Sequence, residues 1–278
     1  NCGFTMSESA QIMVLFDEEL ALQLGAPTLA AIPDVFVSAD GPKKSISGPG
    51  IGNYVTFAKS AALLKNLLGD RRFTSGGMVQ AHGTSTPQNR VTESQIMSQV
   101  AVAMGVQKWR VGAIKSFIGH SLGAAAGDQL SAMLGVWETG LMPGITTLDG
   151  IASDVATDRL EFALRTEATE APDYALINSK GFGGNNATAA VLGPNVTQEL
   201  LKKHYGERKL ADWQTAHESV QIRRASMESA RLEGSWAPRY HFNEGVLDPE
   251  AVEVDAAQIR LGDRTVDLST TFPDSWRL

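Results

Sequence analysis

A run of small residues after a glycine turn constrains the fold of this 278-residue chain more than any other feature. The run lies in residues 115–127, KSFIGHSLGAAAG, which follow a predicted strand over residues 109–114. Gly119 permits a tight turn that a side chain would obstruct. The small residues after it let a helix pack close to another backbone. The stretch therefore predicts a strand, a turn and a helix, with His120 near the N-terminus of that helix.

Two interpretations of this stretch remain open. Unpaired N–H groups and the helix dipole favour negative charge at a helix N-terminus, so His120 should stay neutral beside an anion or a developing oxyanion. In one interpretation, GHSLG at residues 119–123 is the nucleophile elbow of a serine hydrolase, and Ser121 attacks an ester. In the other, Ser121 is only a helix N-cap, and Lys115 and His120 carry the chemistry.

Composition narrows the possible partners and cofactors. The 24 basic and 31 acidic residues give a net charge of -7 without a long run of either sign, which argues against nucleic acid. No apolar stretch reaches membrane-spanning length, so we expect no membrane interaction. Cys2 is the only cysteine, which excludes an intrachain disulfide and fits a cytoplasmic location. The five histidines lack metal-ligand spacing, so we predict neither a metal nor another cofactor.

Strands and helices alternate along the first two thirds of the chain, which predicts an α/β layered sheet with helices on its faces. Predicted strands cover residues 11–16, 29–39, 77–81, 174–179 and 186–192, and predicted helices cover residues 17–24, 54–68 and 92–104. Because ligands gather at strand ends in such sheets, we expect His82, His120 and Phe182 to share one site. Beyond Gly193 the sequence predicts a charged helix over residues 196–232 and a small β-rich appendage.

Taken singly, the candidate residues have ordinary explanations. His82 can be a hydrogen-bonded structural residue, Phe182 can belong to the core, and Thr84 and Thr86 can stabilise a turn. Lys115 is more unusual, because it interrupts an apolar run where a lysine is costly without a partner. Even so, its ammonium can reach the surface along its apolar stem.

Taken together, three ordered segments resemble the C-terminal signatures of the β-ketoacyl-acyl carrier protein synthases, the condensing enzymes of fatty acid and polyketide synthesis. The segments are residues 81–87 (AHGTSTP), 115–120 (KSFIGH) and 178–186 (NSKGFGGNN). Residues 3–10 are also similar to that family's segment just beyond the nucleophile. The resemblance covers about residues 1–193, and three ordered motifs are far more specific than one five-residue elbow.

The resemblance implies the thiolase fold, in which two similar halves enclose a buried site. Residues 1–40 would then be the end of the N-terminal half, residues 41–193 the C-terminal half, and residues 194–278 an α+β extension that matches nothing in the family. The surroundings of Cys2 do not match the family's nucleophile turn. We therefore expect the nucleophilic cysteine in a segment upstream of this chain.

The activity implied is a decarboxylative Claisen condensation of an acyl thioester with malonyl-acyl carrier protein. His82 and His120 would donate hydrogen bonds to the malonyl thioester carbonyl and stabilise the enolate. Lys115 would orient or tune His120. The Phe182 N–H would contribute to an oxyanion hole, and its side chain would gate the acyl pocket. The substrate-binding residues implied are Thr84 and Thr86, which would hold the pantetheine arm, together with Gly181 and Gly183 beside Phe182.

The implied partners are the acyl carrier protein, an acyl-coenzyme A or acyl-carrier-protein substrate, and a second copy of the chain in a homodimer. The sequence departs from the family at Arg90, Lys180 and Asn185, which replace an aspartate, an aromatic residue and a threonine. Gln129 stands where the family often has the carboxylate that partners the lysine. Asp128 or Glu93 is the supporting residue that could take over that role.

Two alternatives to condensation remain. A serine hydrolase would use Ser121 with an acid and then a histidine after it, for which His204, His217 and His241 are available. A non-condensing relative, either a malonyl decarboxylase or a scaffold partner, would keep the two motif histidines without a cysteine.

Overall fold

A six-stranded mixed sheet forms the centre of the computed structural model, which describes residues 3, 5–43, 50–181, 183–237, 242–246 and 248–269. The strands among the described residues are β1 (Ala31–Ala39), β2 (Gly77–Gln80), β3 (Trp109–Gly112), β4 (Leu141–Met142), β5 (Leu160–Phe162), β6 (Glu167–Ala168), β7 (Tyr174–Gly181), β8 (Asn185–Leu192), β9 (Val252–Val254), β10 (Gln258–Leu261) and β11 (Arg264–Asp267). The strand order of the central sheet is β1-β8-β7-β2-β3-β5. β2 pairs in parallel with β3 and β7, whereas β8 is antiparallel to β7 and β1.

Helices cover both faces of this sheet. They are α1 (Glu18–Leu24), α2 (Ile51–Leu68), α3 (Asp70–Ser75), α4 (Pro87–Met104), α5 (Lys115–Ile118), α6 (Ala125–Thr139) and α7 (Pro194–Leu232). α7 is interrupted at Gly206, whose φ is 84°. None of the helices in the described part of the chain combines the length and the apolar character that crossing a membrane requires.

The core has two parts because alternate strand residues point to opposite faces of the sheet. On one face, Val79 and Leu176 pack in a cluster with the buried faces of α2 and α4. On the other, Met78 and Ile177 pack in a cluster with α6. Because β2 and β7 are covered by helices on both faces, one nearly continuous apolar run packs against two helix layers.

The parallel strands direct the motif residues to one edge of the sheet. β2 ends at Gln80 and leads to His82, while β3 ends at Gly112 and leads to Lys115. β7 lies beside β2 and ends at Gly181. Because β2, β3 and β7 run in the same direction, their C-terminal ends meet, as the alternation of elements predicts.

Two local predictions are wrong. Residues 11–16, predicted as a strand, form no regular element, and their apolar side chains are exposed, Ile12 to 93%. An apolar run becomes a strand only where a partner strand satisfies its backbone groups. Residues 115–118, predicted as the end of a strand, instead form the single helical turn α5. The predicted helix over residues 17–24 is confirmed as α1, which Asp17 caps and Gly25 ends.

The chain divides into two compact units, residues 1–222 and residues 223–278. Within the first unit, α7 packs closely against the end of α1. A Cβ on Gly25 would lie 2.5 Å from the backbone of Ala216, and Trp213 Nε1 donates to the Ala26 carbonyl at 3.0 Å. The second unit contains the three-stranded sheet β11-β10-β9, in line with the β-rich segment that the sequence predicts.

Candidate active site

A cavity of about 360 Å³ lies at the edge of the sheet where the motif segments meet. Both motif histidines line it, together with Thr84, Thr86, Lys180 and Gly181. Gly183 is described but lies outside the lining, and Phe182 lies outside the described residues. The structure thus brings together most of the residues that the sequence singles out, from three separate segments.

His82 is buried and presents its Nδ1 atom to the backbone. Nδ1 accepts the Lys180 N–H at 3.3 Å, so in the neutral ring the proton resides on Nε2. The pKa of His82 is lowered to about 3, chiefly by burial; the charge of Glu93 opposes this shift, and the nearby Lys115 and Lys180 ammonium groups contribute to it. His82 is therefore a neutral hydrogen-bond donor at neutral pH.

His120 has the same arrangement. Its Nδ1 accepts the Leu122 N–H at 3.0 Å, which places the proton of the neutral ring on Nε2. Burial and the Lys115 charge hold its pKa below the ordinary value, although Asp128 opposes this shift. The prediction of a neutral His120 agrees with this direction, but the causes are burial and Lys115.

The backbone of His120 is fixed by the N-terminal segment. Its N–H donates to the Thr5 carbonyl at 2.8 Å, and its carbonyl accepts the Ser7 N–H at 3.0 Å. Gly119 precedes it at φ +75°, and a Cβ there would lie 2.9 Å from the Thr5 oxygen. The turn can therefore approach the segment this closely only with glycine at residue 119.

Ser121 does not make the contacts of a hydrolase nucleophile. Its Oγ donates to Oδ2 of Asp128, and that carboxylate also accepts from Gln11 Nε2. The hydroxyl proton is thus directed to a carboxylate and not to a histidine base. Ser121 occupies the N-cap position of the 3₁₀ turn Leu122–Ala124, as the second interpretation predicts, but its side chain makes no capping bond there.

Glu93 organises the loop that carries His82. One carboxylate oxygen accepts the His82 N–H at 2.7 Å, and the other accepts the Gly83 N–H at 3.0 Å. Asn89 and Asn178 each donate a further side-chain bond. Burial raises the pKa of Glu93, but the interaction with His82, the Lys180 charge and these hydrogen bonds together hold the pKa below its ordinary value.

Lys115 is close to the histidines but forms no ion pair with any residue that the structure describes. Among the described residues its buried Nζ has no hydrogen-bond partner. Burial lowers its pKa, and the more distant carboxylates of Glu93 and Asp128 oppose that shift. Neither carboxylate therefore contacts Lys115 in the way expected of a partner.

Gln129 fills the position of the missing carboxylate with a different set of contacts. Its Nε2 lies 2.7–3.0 Å from three carbonyl oxygens, those of Gln80, Ala81 and Asn178. Its Oε1 accepts from Ser179 Oγ at 3.1 Å. The side chain thus joins β2 to β7.

Thr84 and Thr86 lie within hydrogen-bond distance of each other, at 3.2 Å between their hydroxyl oxygens. Thr86 also caps α4, with its Oγ1 accepting the Asn89 N–H at 3.4 Å. Both threonines also line the cavity, so they can stabilise the turn and contact a bound ligand at the same time.

Several residues of the site escape sequence reasoning. Lys180 Nζ donates to Asn89 Oδ1 at 3.2 Å, and Lys43 pairs with Asp40 at 2.8 Å in the cavity wall. The spacing of Asn89 and Glu93 on one helix face is a signal that could have identified Asn89. The backbone N–H of Leu122 has no side-chain signature at all.

Comparison with known proteins finds sequence similarity to β-ketoacyl synthases. Residues 30–149 match the model of the β-ketoacyl synthase C-terminal domain. The chain is 44% identical over 260 residues to the β-ketoacyl-[acyl-carrier-protein] synthase FabY of Pseudomonas aeruginosa, covering 93% of this chain and 41% of that protein. It is 30% identical over 187 residues to 3-oxoacyl-[acyl-carrier-protein] synthase 2 of Vibrio cholerae, covering 67% of this chain and 44% of that protein.

Comparison with solved structures also finds a ketosynthase. The crystal structure of the ketosynthase FabY from P. aeruginosa superposes with a TM-score of 0.86 at 41% identity, covering 99% of this chain and 44% of that one. A β-ketoacyl synthase from Burkholderia phymatum has the same fold, with a TM-score of 0.53 at 23% identity, covering 64% of this chain and 40% of that one. The chain therefore spans less than half the length of these relatives.

Proposed function

Because this chain is related to the β-ketoacyl-acyl carrier protein synthases and carries their C-terminal domain over residues 30–149, we propose that it takes part in decarboxylative condensation. Its fold is the thiolase-like fold of the ketosynthases. The reaction joins an acyl thioester to malonyl-acyl carrier protein and yields a 3-ketoacyl-acyl carrier protein. The pathway is fatty acid or polyketide synthesis, as the family resemblance implies.

One observation carries this proposal. Two buried, neutral histidines line one cavity, and each has its Nδ1 held by a backbone N–H. Both rings are thereby left with an Nε2–H donor. Two preorganised neutral donors on buried side chains suit a thioester oxygen that becomes negative during reaction.

The decarboxylation step follows from these donors. The bond between the malonyl carboxylate and the α-carbon breaks, carbon dioxide leaves, and the electron pair moves to the thioester oxygen as an enolate. His82 and His120 donate hydrogen bonds to that oxygen as its charge grows. Neither ring has to give up its proton, because the enolate carbon uses the same electron pair in the next step.

The condensation step needs an acyl group held on a thiol. The enolate carbon attacks the acyl carbonyl, a carbon–carbon bond forms, and the bond to the thiolate sulfur breaks. In this proposal the thiol belongs to a cysteine upstream of the present sequence, as the family resemblance implies. Phe182 supplies a backbone N–H for that second oxyanion and gates the pocket, with Gly181 and Gly183 beside it.

The remaining roles are proposed on the same basis. Thr84 and Thr86 bind the pantetheine arm, Lys115 tunes His120 through its charge, and Glu93 holds the His82 loop. The partners are acyl carrier protein and an acyl-coenzyme A or acyl-carrier-protein donor, in a cytoplasmic homodimer. Residues 1–40 and 41–193 are the two ketosynthase parts, and residues 194–278 are the extension.

The test uses the intact protein that contains this sequence. It is incubated with malonyl-acyl carrier protein labelled in its carboxylate and with an acyl thioester donor, and both carbon dioxide and 3-ketoacyl product are measured. Equal release of the two products supports the proposal. Label release without a ketoacyl product would indicate a non-condensing decarboxylase, and thioester hydrolysis abolished by Ser121→Ala alone would indicate a hydrolase.

A further inference from the structure

The turn after His120 adopts a backbone conformation that is unfavourable for its residue. Leu122 has φ +56°, in the left-handed region that costs free energy for any residue with a Cβ. Its side chain is half exposed, so burial of the leucine does not explain the conformation. Strained residues of this kind persist only where the surrounding structure holds them.

Leu122, the strained residue, also sets the tautomer of His120. The Leu122 N–H donates to His120 Nδ1 at 3.0 Å, which directs the ring proton to Nε2. If Leu122 relaxed to negative φ, this N–H would turn away from the ring. The orientation and tautomer of His120 therefore depend on whatever holds the turn.

The buried carboxylate of Asp128 holds the turn that contains Leu122. Asp128, in the first turn of α6, accepts the Ser121 hydroxyl on Oδ2 and the Gln11 side-chain amide on Oδ1. One of these bonds fixes the residue immediately before Leu122 to a long helix. The other fixes the N-terminal segment whose Thr5 and Ser7 pair with the His120 backbone.

The same contacts argue against an ion-pair role for this carboxylate. Both oxygens accept from neutral donors, and Lys115 Nζ makes no hydrogen bond within the described residues. Lys115 and Asp128 interact only through their charges at longer range.

We propose that Asp128 is the positioning residue of His120, because its bonds to Ser121 and Gln11 hold Leu122 in the conformation that fixes the Nε2–H tautomer. Its side-chain bonds to Ser121 and Gln11 make Asp128 act on His120 through the turn. This inference deepens the proposed function and rests on it for the catalytic role of His120.

The test is a double-variant cycle in the intact protein, measured by carbon dioxide release from a malonyl thioester. We expect Asp128→Asn to lower kcat by about tenfold with little change in KM, since the neutral amide cannot accept both bonds. Glycine has no penalty at positive φ. In a Leu122→Gly background, Asp128→Asn should therefore cost less than about threefold.

A matched cycle tests the ion-pair explanation. If Asp128 served Lys115, then a Lys115→Met background would suppress the effect of Asp128→Asn and the Leu122→Gly background would not. That result would overturn the proposal. Ser121→Ala combined with Asp128→Asn should lose no more activity than the worse single variant.

A spectroscopic measurement separates this inference from the proposed function. In the ¹⁵N spectrum of the ring nitrogens, His120 should be the Nε2–H tautomer in the parent and a tautomer mixture in Asp128→Asn. An unchanged tautomer would overturn the positioning role whatever the activity. Absence of malonyl decarboxylation in the parent, with the tautomer change present, would reject the proposed function alone.

Discussion

The rings of His82 and His120 lie 5.3 Å apart between centroids and stand nearly perpendicular, at 84°. They come from different segments, after β2 and after β3, and each is held at Nδ1 by a backbone N–H. This pairing is the geometric basis of the proposed chemistry, because two fixed donors meet in one cavity before any substrate binds.

Removing either ring donor should abolish most malonyl decarboxylation. We expect His82→Ala and His120→Ala each to lower kcat by about 100-fold or more, since each deletes one preorganised donor to the enolate oxygen. The measurement is carbon dioxide release from a malonyl thioester by the intact protein. His204→Ala, an exposed histidine on α7, is the matched control and should retain activity. A similar loss in all three variants would contradict the assignment.

Stability should fall as pH drops below 6.5. Both histidines have lowered pKa values in the folded protein, that of His82 about 3, so the unfolded chain binds more protons in this range. The stabilisation is complete above the unfolded pKa of about 6.5 and is lost as pH falls, at up to about 1.4 kcal/mol per unit for each ring.

Urea unfolding between pH 7 and pH 5 measures this slope. His82→Gln should have a shallower slope than the parent protein, because glutamine does not titrate. An identical slope in both proteins would show that His82 titrates normally in the folded state. The carboxylates with lowered pKa values, such as Asp40 and Glu93, contribute mainly at lower pH.

Gly119→Ala should destabilise the turn that carries His120. The new Cβ would meet the Thr5 oxygen at 2.9 Å, and φ +75° is unfavourable for alanine, so we expect a loss of about 1–3 kcal/mol in the free energy of unfolding. Gly135→Ala is the matched control, since it lies within α6 and its Cβ would meet nothing within 4 Å. Alanine there should stabilise by up to about 1 kcal/mol. Equal effects at the two positions would refute this explanation.

Gln129→Glu should lower the free energy of unfolding by at least about 2 kcal/mol. A carboxylate would place a buried oxygen against three carbonyl oxygens that now accept from the amide. Ser179→Ala removes only the hydroxyl bond to Oε1 and should cost about 1 kcal/mol. Chemical denaturation of both variants measures the difference, and a stable Gln129→Glu variant would show that the site accommodates a carboxylate.

Trp213→Ala should lower the free energy of unfolding, because Trp213 connects the first part of the extension to the ketosynthase part. Trp213 is buried, stacks on His217 with centroids 4.9 Å apart, and donates to the Ala26 carbonyl. We expect a loss of about 3 kcal/mol in stability. Ile222→Ala on the same helix is the control, because Ile222 is 71% exposed and should cost less than about 0.5 kcal/mol. Equal losses of stability in Trp213→Ala and Ile222→Ala would mean that the contacts of Trp213 do not stabilise α7.

The sequence identifies the elements and the motif residues well where the signal is local. Strand β7 and helix α1 follow from short-range apolar spacing and from capping residues, and the three motif segments point to His82, His120 and Lys115. The strand predicted over residues 11–16 fails because pairing depends on a neighbour that local pattern does not specify.

Residue types and their order carry the family signature, so the family resemblance follows from the sequence without knowledge of the fold. The use made of each group follows from the tertiary structure. Ser121 donates to Asp128, Gln129 joins two strands, and both histidines present Nε2–H because backbone N–H groups occupy Nδ1. These outcomes depend on long-range hydrogen bonds and on burial. Neither can be read from sequence spacing, because the partners are brought together only when the sheet assembles.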